Sequence, residues 1–229
     1  MNRYSEIKNK TKREIVLLKG RPCAYGKCSF CDYIEDNSKD MILNHRINES
    51  VLLNITGKYG VLEVINSGNI FELPKKTLKM IKDIIEQKNI HTLFFEAHWM
   101  YRKKINEMRQ FFEIKTIVKT GLESFHQEFR EETLNKGFFH EDIKELKKYY
   151  DSVCLMVGIK GQDRKMIEED IRLAMENFDH FTVNVFVNNT TRIEADENLI
   201  SWFQKEYQWL ENEQKCDVLW SNTDFGVGD

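Results

Sequence analysis

Residues 14–32 read EIVLLKGRPCAYGKCSFCD. The first seven, 14–20, are a short apolar run closed by glycine, the pattern of a buried strand. That strand delivers the chain into a loop carrying Cys23, Cys28 and Cys31 at C-x4-C-x2-C spacing. Outward from this stretch the same alternation recurs. Strand-like runs at 61–67, 91–96, 116–121, 152–159 and 181–187, with a short closing run at 218–220, are separated by helical stretches at 48–59, 75–87, 102–112, 141–149, 166–177 and 198–209. Such alternation predicts βαβ units, a parallel sheet and right-handed crossovers. The units can build an open doubly wound sheet or an incomplete barrel. In both, the functional face lies at the C-terminal ends of the strands, which is where the cysteine loop falls.

The chain has 229 residues, 41% of them apolar, with two prolines and eleven glycines, enough for a sizeable core and unlike a disordered segment. No linker, repeat or composition shift divides it, so one domain over 1–229 is expected. Acids and bases are interspersed and the net charge is -3, a poor match for a clamp on a nucleic-acid backbone. The basic run at 8–13 reads as a solvated face. No apolar run approaches the ~18 residues of a membrane span. The first residues lack the apolar region of a signal peptide, so the expected location is the cytoplasm.

Five cysteines, an odd number, argue against a disulfide framework. Three thiolates can ligate three irons of a cubane and leave the fourth iron open, which is what chemistry at a metal needs; closed clusters use four cysteines. Zinc is the rival, because C-x2-C is also half of a zinc knuckle. A closed zinc site needs a fourth ligand; Asp32 is adjacent, and no histidine lies near the loop in sequence. A zinc-stabilised binding module therefore stands as the reading from a different class. Cys154 and Cys216 read as small buried apolar residues.

At this point the chain resembles the radical S-adenosylmethionine (SAM) superfamily, whose usual spacing is one residue shorter between the first two cysteines. The resemblance implies an α/β fold, a partial (βα)6 barrel of the radical SAM type. It implies a [4Fe–4S] cluster on Cys23, Cys28 and Cys31, SAM as cofactor, and Phe30 beside the adenine. Asn66, Ser67 and Gly68 stand where the family's glycine-rich motif holds the SAM amino group, as SGN rather than GGE. Glu96, Glu123 (in GLES) and Lys136 (in LNKG) fall where relatives bind SAM, and residues 157–161 where the chain packs on adenine. Read singly, Glu96 and Glu123 are also ordinary strand-end acids, and Lys136 is also a charge near a helix C-terminus.

Within the superfamily, INSGNIFE, FFEAHW and TGLES resemble the lyases of deazapurine nucleoside metabolism, archaeosine-forming and queuosine-salvage enzymes. That implies a lyase that cleaves the N-glycosidic bond of queuosine or queuosine 5′-phosphate to release queuine. The partners implied are a small nucleoside-type substrate and a reductase such as flavodoxin or ferredoxin. A tRNA-modifying enzyme or an activase of the same fold is the alternative. The substrate residues expected are His98, Asn184, Trp220, Asp224 and Asp229, with a tail, 218–229, closing the barrel mouth. An edge or packing role competes for His98, and a frayed terminus for the tail.

Overall fold

The computed structural model describes residues 1–228; Asp229, one of the expected substrate residues, lies outside the described residues. The chain folds as two compact units. Of the described residues, the first comprises 1–26, 33–118 and 225–228, and the second 27–32 and 119–224.

In the first unit, β1 (Tyr4–Ile7) pairs antiparallel with β2 (Arg13–Leu18), and β2, β3 (Val61–Asn66) and β4 (Thr92–Glu96) run parallel. Parallel strands buried on both faces read as near-continuous apolar runs, as 14–18 does. β1 had no counterpart in the sequence reading. Its pattern is half-polar because it is an edge strand, paired on β2 alone within its unit.

Helix α1 is Met41–Leu52, α2 Lys75–Gln87 and α3 Ile105–Phe112. Helix α2 buries Thr77, Ile81, Ile84 and Ile85, one stripe at helical spacing, and its bounds agree with expectation. The first helix does not: 48–59 was expected, and the helix begins seven residues earlier. Its start is fixed by Asp40, whose carboxylate accepts the Ile42 and Leu43 N–H groups. Its inward face carries Asn44 and Asn48, polar residues that mask the apolar period. Both amides bond the backbone that follows β2: Asn44 donates to Gly20 O at 3.0 Å and Asn48 to Lys19 O at 2.8 Å.

The last described residues, 225–228, belong to this unit. Val227 is buried with Ile7 and Ile15, and Phe225, Leu17 and Ile65 pack against them. Asn2 and Gly228 form an antiparallel bridge. The tail is therefore anchored through Val227 and the Asn2–Gly228 bridge.

In the second unit, β5 (Lys115–Glu123, from residue 119 onward), β6 (Ser152–Val157), β7 (His180–Val185) and β8 (Cys216–Leu219) are parallel neighbours. Helix α4 is Ile143–Lys147, α5 Arg164–Asn177 and α6 Glu197–Tyr207. Asp142, Asp163 and Asp196 cap their N-termini by accepting backbone N–H groups. Among the described residues no helix is long and apolar enough to cross a membrane.

Candidate functional site

The first unit brings three strand ends together with the start of the cysteine loop. Register pairs Leu18 with Asn66, so the chain leaves β2 and β3 side by side. Residues 70–72 form a 3-10 turn capped by Asn69, and Glu72 completes the box: Asn69 Oδ1 accepts Phe71 N–H, and Glu72 accepts Asn69 N–H at 3.0 Å. The other Glu72 oxygen accepts Ala24 N–H at 2.7 Å, and the Glu72 carbonyl accepts Arg21 N–H at 3.0 Å. Burial pushes the Glu72 carboxyl up, against the hydrogen bonds from Ala24 and Asn69.

The Asn66 side-chain amide nitrogen is buried without a hydrogen-bond partner. It lies where a Cβ on Gly20 would come within 3.2 Å. Ser67 Oγ lies 3.3 Å from Asp36, which also receives Lys19 and a two-pronged Arg3 contact. Burial would raise the Asp36 carboxyl, but these cations outweigh it and hold it low.

Glu96 ends β4 and is half-buried. His98 caps the following 3-10 turn, its Nδ1 accepting Met100 N–H at 3.2 Å. Its ring stacks on Tyr25 of the cysteine loop at 4.7 Å. The sequence places no histidine near that loop; the fold brings one to it.

The second unit holds the rest of the loop. Ser29 N–H donates to Leu134 O at 2.9 Å, and Asn135 Nδ2 to Lys27 O at 2.8 Å. Asn189 Nδ2 donates to Phe30 O at 2.7 Å, and Thr190 contacts Asp32. Asn135 and Asn189 were missed from sequence, because an asparagine that fastens a distant loop carries no local signal. Phe30 is buried among Phe129, Leu134, Met156, Ile159, Phe186 and Ala195, and Cys28 and Cys31 pack against that cluster.

Strand β5 is irregular between Gly121 and Glu123, and Glu123 takes φ 68°, a left-handed conformation that costs a non-glycine residue of order 1–3 kcal/mol. The kink aims Glu123 at Lys136, 2.6 Å away. A Cβ on Gly121 would strike the Glu123 carboxylate and come within 2.9 Å of Lys136 Nζ, so a side chain there would push the tips of this pair aside. The Lys136 ammonium lies 5.3 Å from the Phe30 ring centroid. Burial alone would lower its pKa, but the Glu123 carboxylate and the Cys28 and Cys31 thiolates raise it well above the usual range.

Asn184 lies near the end of β7 and its Oδ1 is buried without a hydrogen-bond partner. In the tail, Asp224 accepts the Trp220 and Ser221 N–H groups, and the Trp220 indole donates to Glu211 at 2.8 Å. These two residues close a turn after β8.

None of the described cysteines is in a disulfide, and Cys23, Cys28 and Cys31 are all partly accessible. Among the described residues no three His, Cys, Asp or Glu side chains converge as a metal site. The donor set nevertheless suits a thiolate-bound cluster. The thiols are in no disulfide and are partly accessible, and Cys28 and Cys31 lie close enough to the buried Lys136 ammonium for their charges to raise its pKa.

No protein-family model matches the chain. An uncharacterized protein of Methanocaldococcus jannaschii is 28% identical over 167 residues; the match covers 64% of this chain and 44% of that protein, so the chain spans under half of that relative. Streptococcus suis SuiB, at 14% identity and TM-score 0.56, covers 92% of this chain and shares the fold alone. The structure of queuine lyase from Clostridium spiroforme, bound to SAM and queuine, is 55% identical with a TM-score of 0.99 over 100% of both chains. The expected fold class, a partial (βα)6 barrel of the radical SAM type, is borne out by that superposition. Identity at that level, sustained from end to end on one backbone, shows that this chain belongs to the radical SAM queuine lyases.

Proposed function

We propose that this enzyme uses SAM and a [4Fe–4S] cluster to break the N-glycosidic bond of queuosine or queuosine 5′-phosphate, releasing queuine. The observation that carries the reading is the full-length likeness to a queuine lyase bound to SAM and queuine. A cluster held by the three cysteines would supply the electron for reductive cleavage of SAM, the source of the radical chemistry at the ribose.

The chain's own residues bind, orient and shield. Cys23, Cys28 and Cys31 would hold the cluster, and three ligands would leave one iron open for SAM. Lys136, kept protonated by Glu123, offers a cation for the SAM carboxylate. Asn66, Ser67 and Gly68 meet the SAM amino group; the orphaned Asn66 amide supports this, because a buried polar group without a partner is costly until a ligand supplies one. Phe30 presents its ring to the adenine, and Glu96 and Glu123 accept hydrogen bonds from SAM. His98, Asn184, Trp220 and Asp224 face the substrate, where the unpartnered Asn184 Oδ1 suits an exocyclic amine or a hydroxyl. The enzyme works in the cytoplasm on a free nucleoside or nucleotide, with flavodoxin or ferredoxin as electron donor.

The test is anaerobic reconstitution, iron and sulfide assay, then incubation with SAM, dithionite and either queuosine or its 5′-phosphate. The reading requires iron near four per chain, 5′-deoxyadenosine and queuine. Formation of 5′-deoxyadenosine without queuine would move the reading to a tRNA-modifying enzyme or activase. A colourless zinc protein would make it a binding module.

A further inference from the structure

We infer that Glu72 is a positioning residue that locks the start of the cysteine loop onto the SGN turn, so that Cys23 and the SAM-facing backbone are set by one side chain. The inference rests on the proposed function for the identity of the two segments, but its geometry stands alone.

Glu72 is fully buried. Three of its oxygens reach three backbone N–H groups in two segments that are distant in sequence: Ala24 at 2.7 Å, Asn69 at 3.0 Å and Arg21 at 3.0 Å. Ala24 directly follows Cys23. Two glycines make room for the arrangement. A Cβ on Gly68 would collide with the Glu72 carboxylate, and one on Gly20 would sit 3.2 Å from the Glu72 carbonyl. Both carboxylate oxygens face donors, so glutamine, which has one acceptor and one donor end, can satisfy only one of the two. A residue that merely filled space would not need an acceptor at both ends.

The apo-protein provides a test that does not depend on turnover. In Glu72→Ala, amide hydrogen exchange in residues 20–26 and 67–70 should rise at least tenfold, while residues 152–185 keep wild-type protection. Glu72→Gln should restore protection in one of the two segments. After reconstitution, Glu72→Ala should lose the change that SAM produces in the paramagnetic-resonance spectrum of the reduced cluster. Unchanged exchange in both segments, or exchange raised equally throughout the chain, would overturn the assignment and leave Glu72 an ordinary core residue. If the wild-type protein assembles no cluster, the proposed function fails while the exchange result on Glu72 still stands.

Discussion

Two buried ion pairs, one in each unit, use the same chemistry for different ends. Arg13 and Glu63 meet at 2.5 Å with both side chains at 0% exposure. The guanidinium lies 5.3 Å from each of the Phe94 and Phe225 ring centroids and also donates to Thr11 O. Every direction around it is filled. Glu123 and Lys136 meet at 2.6 Å, but on a kinked strand end, under Phe30 and within electrostatic reach of two thiols. A sealed pair fastens strands, whereas the second pair stands on strained backbone beside two thiols and is the one proposed to meet SAM.

The sharpest way to break the comparison is to remove one charge from the sealed pair. Glu63→Ala leaves a buried guanidinium without its carboxylate and should cost about 3–5 kcal/mol in urea unfolding of the apo-protein. The apolar double variant Arg13→Met/Glu63→Leu should recover most of that loss and leave SAM affinity unchanged in the reconstituted enzyme. A full loss in the double variant would show that this pair does more than fasten.

A buried carboxylate that accepts a backbone N–H supplies the next contrast. Burial pushes Asp170 up to about 6, against the hydrogen bond from Phe125 N–H at 2.7 Å. The folded value exceeds the unfolded one, near 3.9, so the folded state keeps a proton that the unfolded state releases. Its stabilising contribution is full below pH ~4 and is lost as pH rises to about 6, a fall of up to ~3 kcal/mol. Asp170→Asn keeps an acceptor for Phe125 and should flatten stability across that window. Denaturation midpoints measured from pH 4 to 7 that fall as steeply in the variant as in wild type would refute this.

Neutralising the second pair should separate stability from binding. Glu123→Gln/Lys136→Met should change apo-protein stability little, yet weaken SAM binding at least tenfold, as the loss of a charged hydrogen bond of ~1.5–3 kcal/mol implies. Equilibrium binding to the reconstituted enzyme decides it, and unchanged affinity would return the pair to the class of Arg13 and Glu63. The smallest effect concerns a relay buried in the second unit. Ser152 Oγ lies 2.9 Å from His180 Nδ1, and His180 Nε2 lies 3.0 Å from Asp217. Ser152 is fully buried, so the set reads as structural, and Ser152→Ala should cost about 1 kcal/mol with SAM binding intact.

The tail limits how the substrate proposal can be tested. Cutting after Leu219 would strip Phe225 and Val227 from the Ile7–Ile15 cluster and so disturb the first unit. Trp220→Ala and Asp224→Asn leave that packing in place and are the cleaner probes.

What the sequence determined by itself is the cysteine spacing and the βα alternation. Cysteine chemistry depends on local spacing, and buried parallel strands announce themselves as apolar runs. The true start of α1 stayed hidden because Asn44 and Asn48 face inward, and inward amides look like surface in a hydropathy pattern. The placement of His98 on Tyr25, the hold of Asn135 and Asn189 on the loop, the meeting of Glu123 with Lys136 and the reach of Glu72 to Ala24 and Arg21 were decided by tertiary structure alone. Each joins residues far apart in the chain, and a hydrogen bond made across such a separation leaves no period, spacing or composition for a sequence to display.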